Sequence, residues 1–156
     1  MKSGATNLLE LLIEHESALG RLYVAFAGVF NDTRVFWQTL AGDEQRHARG
    51  LGSLLADPKL EQWLGPEVQS RSPAVKSSTQ YVNEQEARAQ AGGFSQLQAL
   101  AVAKDIEDAL IERLSLPSRI EGCAQIDAVV AELQAETNRH RELIGAKLEA
   151  ERHIRL

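Results

Sequence analysis

Residues 36–54 read FWQTLAGDEQRHARGLGSL. Phe36, Leu40, Leu51 and Leu54 recur at steps of three and four residues and trace one helical face. Glu44 and His47 fall on that same face, where a core helix would carry leucines. A charge buried there costs several kcal/mol unless something pairs with it. Glu44-Gln45-Arg46-His47 is a Glu-x-x-His step. Residues three apart on a helix point the same way, about one turn apart, so this face can offer a carboxylate and an imidazole to one cation.

Working outward, the segment before it carries the stripe Leu9, Leu12, Glu16, Leu19, Tyr23, Ala27, Phe30, again with a carboxylate in the middle. Thr6 or Asn7 is the expected cap at its start. The short break Asn31-Asp32-Thr33 implies an antiparallel hairpin between the first two helices, and Asp57-Pro58 closes the second. A second pair of stripes lies further on. The third helix starts near Phe94 or Ser95 and carries Leu97, Leu100, Ala103 or Lys104, Glu107, Ile111 and Leu114. The fourth carries Ile126, Val130, Leu133, Thr137, His140, Ile144 and Leu148, and its charged end, 149–155, should fray or extend into solvent. Between the pairs, residues 56–93 are broken by Pro58, Pro66, Pro73 and Ser77-Ser78. A connection of that length is expected to span the molecule, with a short helix over 79–91. The expected fold is all-α: one domain over residues 1–156, an antiparallel four-helix bundle with a long crossover at 56–93 between helices two and three.

The two hairpins match. Glu16 and Glu107 stand mid-stripe in the first helix of each, and His47 and His140 mid-stripe in the second. Glu44-Gln45-Arg46-His47 corresponds to Thr137-Asn138-Arg139-His140, so threonine replaces the glutamate in the second half. Three carboxylates and two imidazoles at one level of one core make sense around a metal. Mixed ligands of this kind suit iron, manganese or zinc.

Composition narrows the alternatives. A net charge of -5 provides no basic footprint for nucleic acid. The single cysteine, Cys123, excludes a disulfide framework and a four-cysteine metal centre within one chain. No apolar run reaches membrane-spanning length and no signal-peptide core stands at the N-terminus, so the expected location is the cytoplasm.

At these residues the chain resembles the rubrerythrin-like branch of the ferritin-like superfamily. The resemblance rests on Glu16-Ser17 with Tyr23 seven residues on, on 36–55 around Glu-x-x-His, on 101–114 and on 131–144. It covers both hairpins, about two thirds of the chain. It implies a ferritin-like bundle whose dinuclear centre, usually iron, reacts with oxygen or peroxide. The implied metal ligands are Glu16, Glu44, His47, Glu107 and His140, with Glu44 between two ions. Two departures follow. The sequence lacks the CxxC pairs of a rubredoxin-like iron site, so a separate electron donor is expected, alongside a homodimer formed through exposed aromatic edges. Thr137 stands where the family's second bridging carboxylate would be. Four carboxylates neutralise two divalent ions, whereas three leave an excess positive charge and a weaker second ion.

Three residues are candidates to support the ligands: Tyr23 through its hydroxyl, Thr137, and Glu136. One residue is about 100° of rotation on a helix, so Glu136 should point to the bundle edge and reach inward only with a local distortion such as a π-bulge. His15 is expected to be exposed, Trp37 and Trp63 to cover hydrophobic edges, and Lys104 to reach solvent or an acid. Plainer readings stand beside the metal site: an exposed Glu44–His47 pair, an acidic face around Glu107, a satisfied core histidine at 140. A bundle that binds one metal or none and serves as an interaction or sensing module is the alternative function.

Overall fold

In the computed structural model residues 2–112, 116–117 and 121–155 are described, and they are helical with no strand among them. Ser3 starts α1 (Gly4–Val29): its hydroxyl accepts the Thr6 N–H at 3.1 Å, so the helix begins a few residues before the expected caps. A 3₁₀ turn over Asn31–Thr33 leads into α2 (Arg34–Gly52). Glu16 lies by His47, and Tyr23 stacks on Trp37. Numbers rise along α1 as they fall along α2, which makes the pair an antiparallel hairpin.

The crossover holds more helix than the sequence suggested. Two single turns, α3 (Leu60–Trp63) and α4 (Pro66–Gln69), precede α5 (Ser72–Gln90). Pro73 does not interrupt α5, because it sits in the first turn, where a missing N–H removes no helical bond. Gly92, at φ 76°, takes the left-handed conformation that ends the helix. His15 bonds Ser78, and Arg21 bonds Asn83, so α5 runs parallel to α1 and covers its second face.

Ser95 and Gln98 cap α6 (Gln96–Glu112) reciprocally: each side chain bonds the other's backbone N–H. Helix α7 (Ala124–Arg155) returns alongside it. Gln96 meets Glu151 at one end and Asp108 meets Arg141 further along, so α6 and α7 are antiparallel. The charged end of α7 stays helical to Arg155, with Ile154 in solvent. Leu114, expected as the last residue of the third stripe, lies outside the described residues. Helices α2 and α7 are antiparallel too, with Asp43 against Arg139 and Gly50 against Val129.

Two expectations are corrected here. His15 is fully buried, because α5 covers that face of α1; its Nε2 lies 2.8 Å from Ser78 Oγ, and burial pushes its pKa down. Trp37 and Trp63 are core residues. Trp37 packs on Tyr23, Phe26 and Phe36, and Trp63 Nε1 donates to the Pro117 carbonyl, tying the crossover to the α6–α7 connection. Lys104 pairs with Asp108 at 2.8 Å, one of the two options its position allowed. No helix among the described residues is long and apolar enough to cross a membrane.

Candidate metal centre

Glu16 from α1, Glu44 and His47 from α2, Glu107 from α6 and His140 from α7 converge in the core, none more than 6% exposed. Periodicity alone brings them there: each replaces an apolar residue on a face that packs inward. They form two overlapping groups, Glu16–Glu44–His47 and Glu44–Glu107–His140. In each, one ligand atom per residue lies within 4.8 Å of the others.

Glu44 belongs to both groups. Its Oε2 is 3.3 Å from His47 Nδ1 and its Oε1 is 2.9 Å from His140 Nδ1. Glu16 Oε2 flanks the first ring at 3.8 Å, and Glu107 Oε1 flanks the second at 3.4 Å. Glu16 Oε2 and Glu107 Oε2 are both buried without a hydrogen-bond partner. A buried carboxylate oxygen left this way costs about 1–3 kcal/mol, and more if charged. Such atoms are what a cation would satisfy.

Both rings are fixed from behind. His47 Nε2 donates to Glu136 at 3.0 Å, and His140 Nε2 donates to Asp43 at 2.9 Å. An outer carboxylate on one ring nitrogen leaves the other as the inward donor, the arrangement that orients metal-binding histidines. Arg46 and Arg139 each pair with both Asp43 and Glu136, closing a cap of two acids and two guanidiniums outside the rings. Each ring is held by the acid of the opposite hairpin. Glu136 supports His47 from outside the ring, without any π-bulge in α7. Sequence reasoning missed Asp43. The available signal was that Asp43 and Glu136 each stand four residues before a site histidine.

Electrostatics follow from this packing. Burial lowers the pKa of His47, but the neighbouring carboxylates of Glu16 and Glu44 outweigh it and raise it to about 10. His140 is pushed down by burial and up, more strongly, by Glu107 and Glu44, to about 11. Burial, with Glu44 beside it, raises Glu16 to about 8. Asp43 is raised by burial but held below its usual value by His140 and Arg46. At neutral pH without a cation, both rings therefore carry two protons and Glu16 one.

The chain matches no protein-family model, no curated protein and no solved structure.

The surroundings differ on the two sides. Tyr23 OH donates to Glu107 Oε1 at 2.7 Å from within an aromatic group of Phe26, Trp37 and Phe94. Burial and the neighbouring Glu107 hold that phenol well above its usual pKa. On the other side, Glu16 and Thr137 line an apolar pocket. Thr137 is buried, and its hydroxyl donates to the Leu133 carbonyl at 2.8 Å, as serine and threonine commonly do within helices.

Proposed function

We propose that this chain is a rubrerythrin-like dinuclear metal protein: a ferritin-like bundle of α1, α2, α6 and α7 with α5 added in its crossover. Its ions would be iron, acting on oxygen, peroxide or ferrous iron. One observation carries the reading: the two oxygens of Glu44 face the inward nitrogens of two different imidazoles. Glu16 and Glu107 complete the two groups, each with a buried oxygen lacking a partner. Three carboxylates and two imidazoles fit iron or manganese, and zinc as well.

When bound, iron would supply one-electron redox chemistry. Glu16 and His47 would hold one ion, and Glu107 and His140 the other, with Glu44 between them. Asp43 and Glu136 keep the outer ring protons in place, so that Nδ1 is the donating nitrogen of both histidines. Tyr23 holds a proton against Glu107, and the aromatic wall behind it keeps water from that side. A separate electron donor, a homodimer and a cytoplasmic location complete the proposal. The exposed aromatic edges expected to carry the dimer are not those of Trp37 or Trp63, and sedimentation at micromolar concentration tests the dimer itself.

A second reading has one observation in its favour. Thr137 supplies no carboxylate, so two divalent ions keep an excess positive charge, and a bundle holding a single metal or none would suit a sensing or interaction role. Elemental analysis with an optical spectrum separates the two. Loading with ferrous iron under nitrogen, then adding oxygen or peroxide, should show two irons per chain and a new absorption band. One stoichiometric zinc, or no metal, supports the second reading.

A further inference from the structure

The apolar pocket beside the centre has a volume of about 260 Å³. Leu12, Leu51, Leu110, Leu116 and Leu133 form much of its wall. Gln134 also lines it, but its amide donates to the Leu116 carbonyl at 2.8 Å. The Thr137 hydroxyl is likewise turned back onto its own helix. Asn138, which also lines it, is exposed, so the buried polar group left for an occupant is Glu16, which is 4% exposed and has an unpartnered oxygen. A slot walled by leucines, ending at a metal-ligand carboxylate, calls for an apolar body with one polar head.

The head can be specified further. Thr137 occupies in α7 the position that Glu44 occupies in α2, one turn before the histidine in each case. The shorter side chain leaves room beside the centre that a glutamate would fill, and the pocket lies there. The same substitution leaves three carboxylates against two divalent ions, a formal excess of one positive charge. One monoanionic group would remove it. On the aromatic side of the centre Tyr23, Phe26 and Trp37 are fully buried and pack on one another.

We propose that this pocket takes a small aliphatic carboxylic acid, with its carboxylate in the place left open at Thr137 and its chain among the leucines. This rests on the dinuclear reading above. The occupant would complete the ligand set as well as fill the cavity.

Calorimetric titration of octanoate and of 1-octanol tests this, using the protein loaded with redox-silent zinc and the metal-free protein. Octanoate should bind the zinc-loaded protein at least about tenfold tighter than octanol does, a difference of about 1.4 kcal/mol. It should also bind the zinc-loaded protein at least about tenfold tighter than the metal-free protein. Leu133→Trp should fill the slot and abolish octanoate binding with the zinc count unchanged. Thr137→Glu should keep zinc and lose octanoate, because the new carboxylate takes the same place. Equal binding of octanol and octanoate, or no octanoate binding at two zinc ions per chain, overturns the ligand while leaving the metal reading intact. Failure to take up zinc at all overturns both.

Discussion

Asp43-Glu44-Gln45-Arg46-His47 on α2 and Glu136-Thr137-Asn138-Arg139-His140 on α7 lie against each other. Their outer acids, arginines and histidines play the same parts. The outer acids bond the opposite ring, the arginines bridge both acids, and the histidines turn Nδ1 inward. The inner position differs: Glu44 reaches both rings, while Thr137 bonds its own helix. The acids and arginines that orient the rings are thus present twice, and the inner carboxylate once. Apolar space lies beside the lesser half. The two flanks differ as well: Glu107 has the Tyr23 hydroxyl, while Glu16 lines the slot.

The comparison can be broken most severely at Glu44. Because each of its oxygens serves one half, Glu44→Ala should abolish binding of both ions, read as metal per chain. It also leaves two buried rings without their shared partner, so the metal-free protein should lose about 3–5 kcal/mol in a denaturant melt. Retention of one ion by Glu44→Ala would mean that the halves are independent.

Acidity comes next. His47 and His140 have folded pKa values of about 10 and 11, above the ordinary 6.5, and Glu16 about 8, above 4.5. In all three the folded chain holds protons that the unfolded chain releases, so stability falls as pH rises. The Glu16 contribution is complete below pH 4.5 and lost as pH rises through about 8. Those of the rings are complete below pH 6.5 and lost through about 10 and 11. The metal-free protein should therefore melt at its highest temperature near the acidic end of this window. Metal affinity should run the other way, since loading must expel these protons. Two melting series across pH, with and without zinc, should converge towards low pH and diverge towards high pH. Parallel series would contradict the site.

The outer acids offer a finer test. Asp43→Asn should weaken the ion held by His140, and Glu136→Gln the ion held by His47, each by about 10–100-fold, the usual cost of losing an orienting carboxylate. Equal effects of one variant on both ions would show that the crossed support is not specific. The smallest expected effect is at Thr137. Thr137→Glu should raise affinity for the weaker ion about tenfold by supplying the missing charge, while destabilising the metal-free protein through another buried acid. Melting with and without ferrous iron separates these opposite signs.

The five central residues were legible in the sequence because each breaks an apolar stripe, and a charge on a core face has few explanations. The hairpin of α1 and α2 was legible because only four residues, 30–33, separate the helices. Asp43 was not, because a residue about 100° off the stripe reads as solvent-facing. Its burial depends on α7 lying over that flank of α2, which no local pattern in residues 36–54 reveals. His15 was misjudged for a related reason. Residues 56–93 read as broken by proline and serine, yet Pro73 opens α5 rather than ending it. The helix that results buries the second face of α1.

Crystals soaked in zinc or ferrous iron and measured for anomalous scattering test the central claim most directly. Two peaks per chain are expected on either side of the Glu44 carboxylate, one between Glu16 and His47 Nδ1, the other between Glu107 and His140 Nδ1. A single peak, or metal bound elsewhere with the Glu44 oxygens still bonded to both rings, would contradict the account.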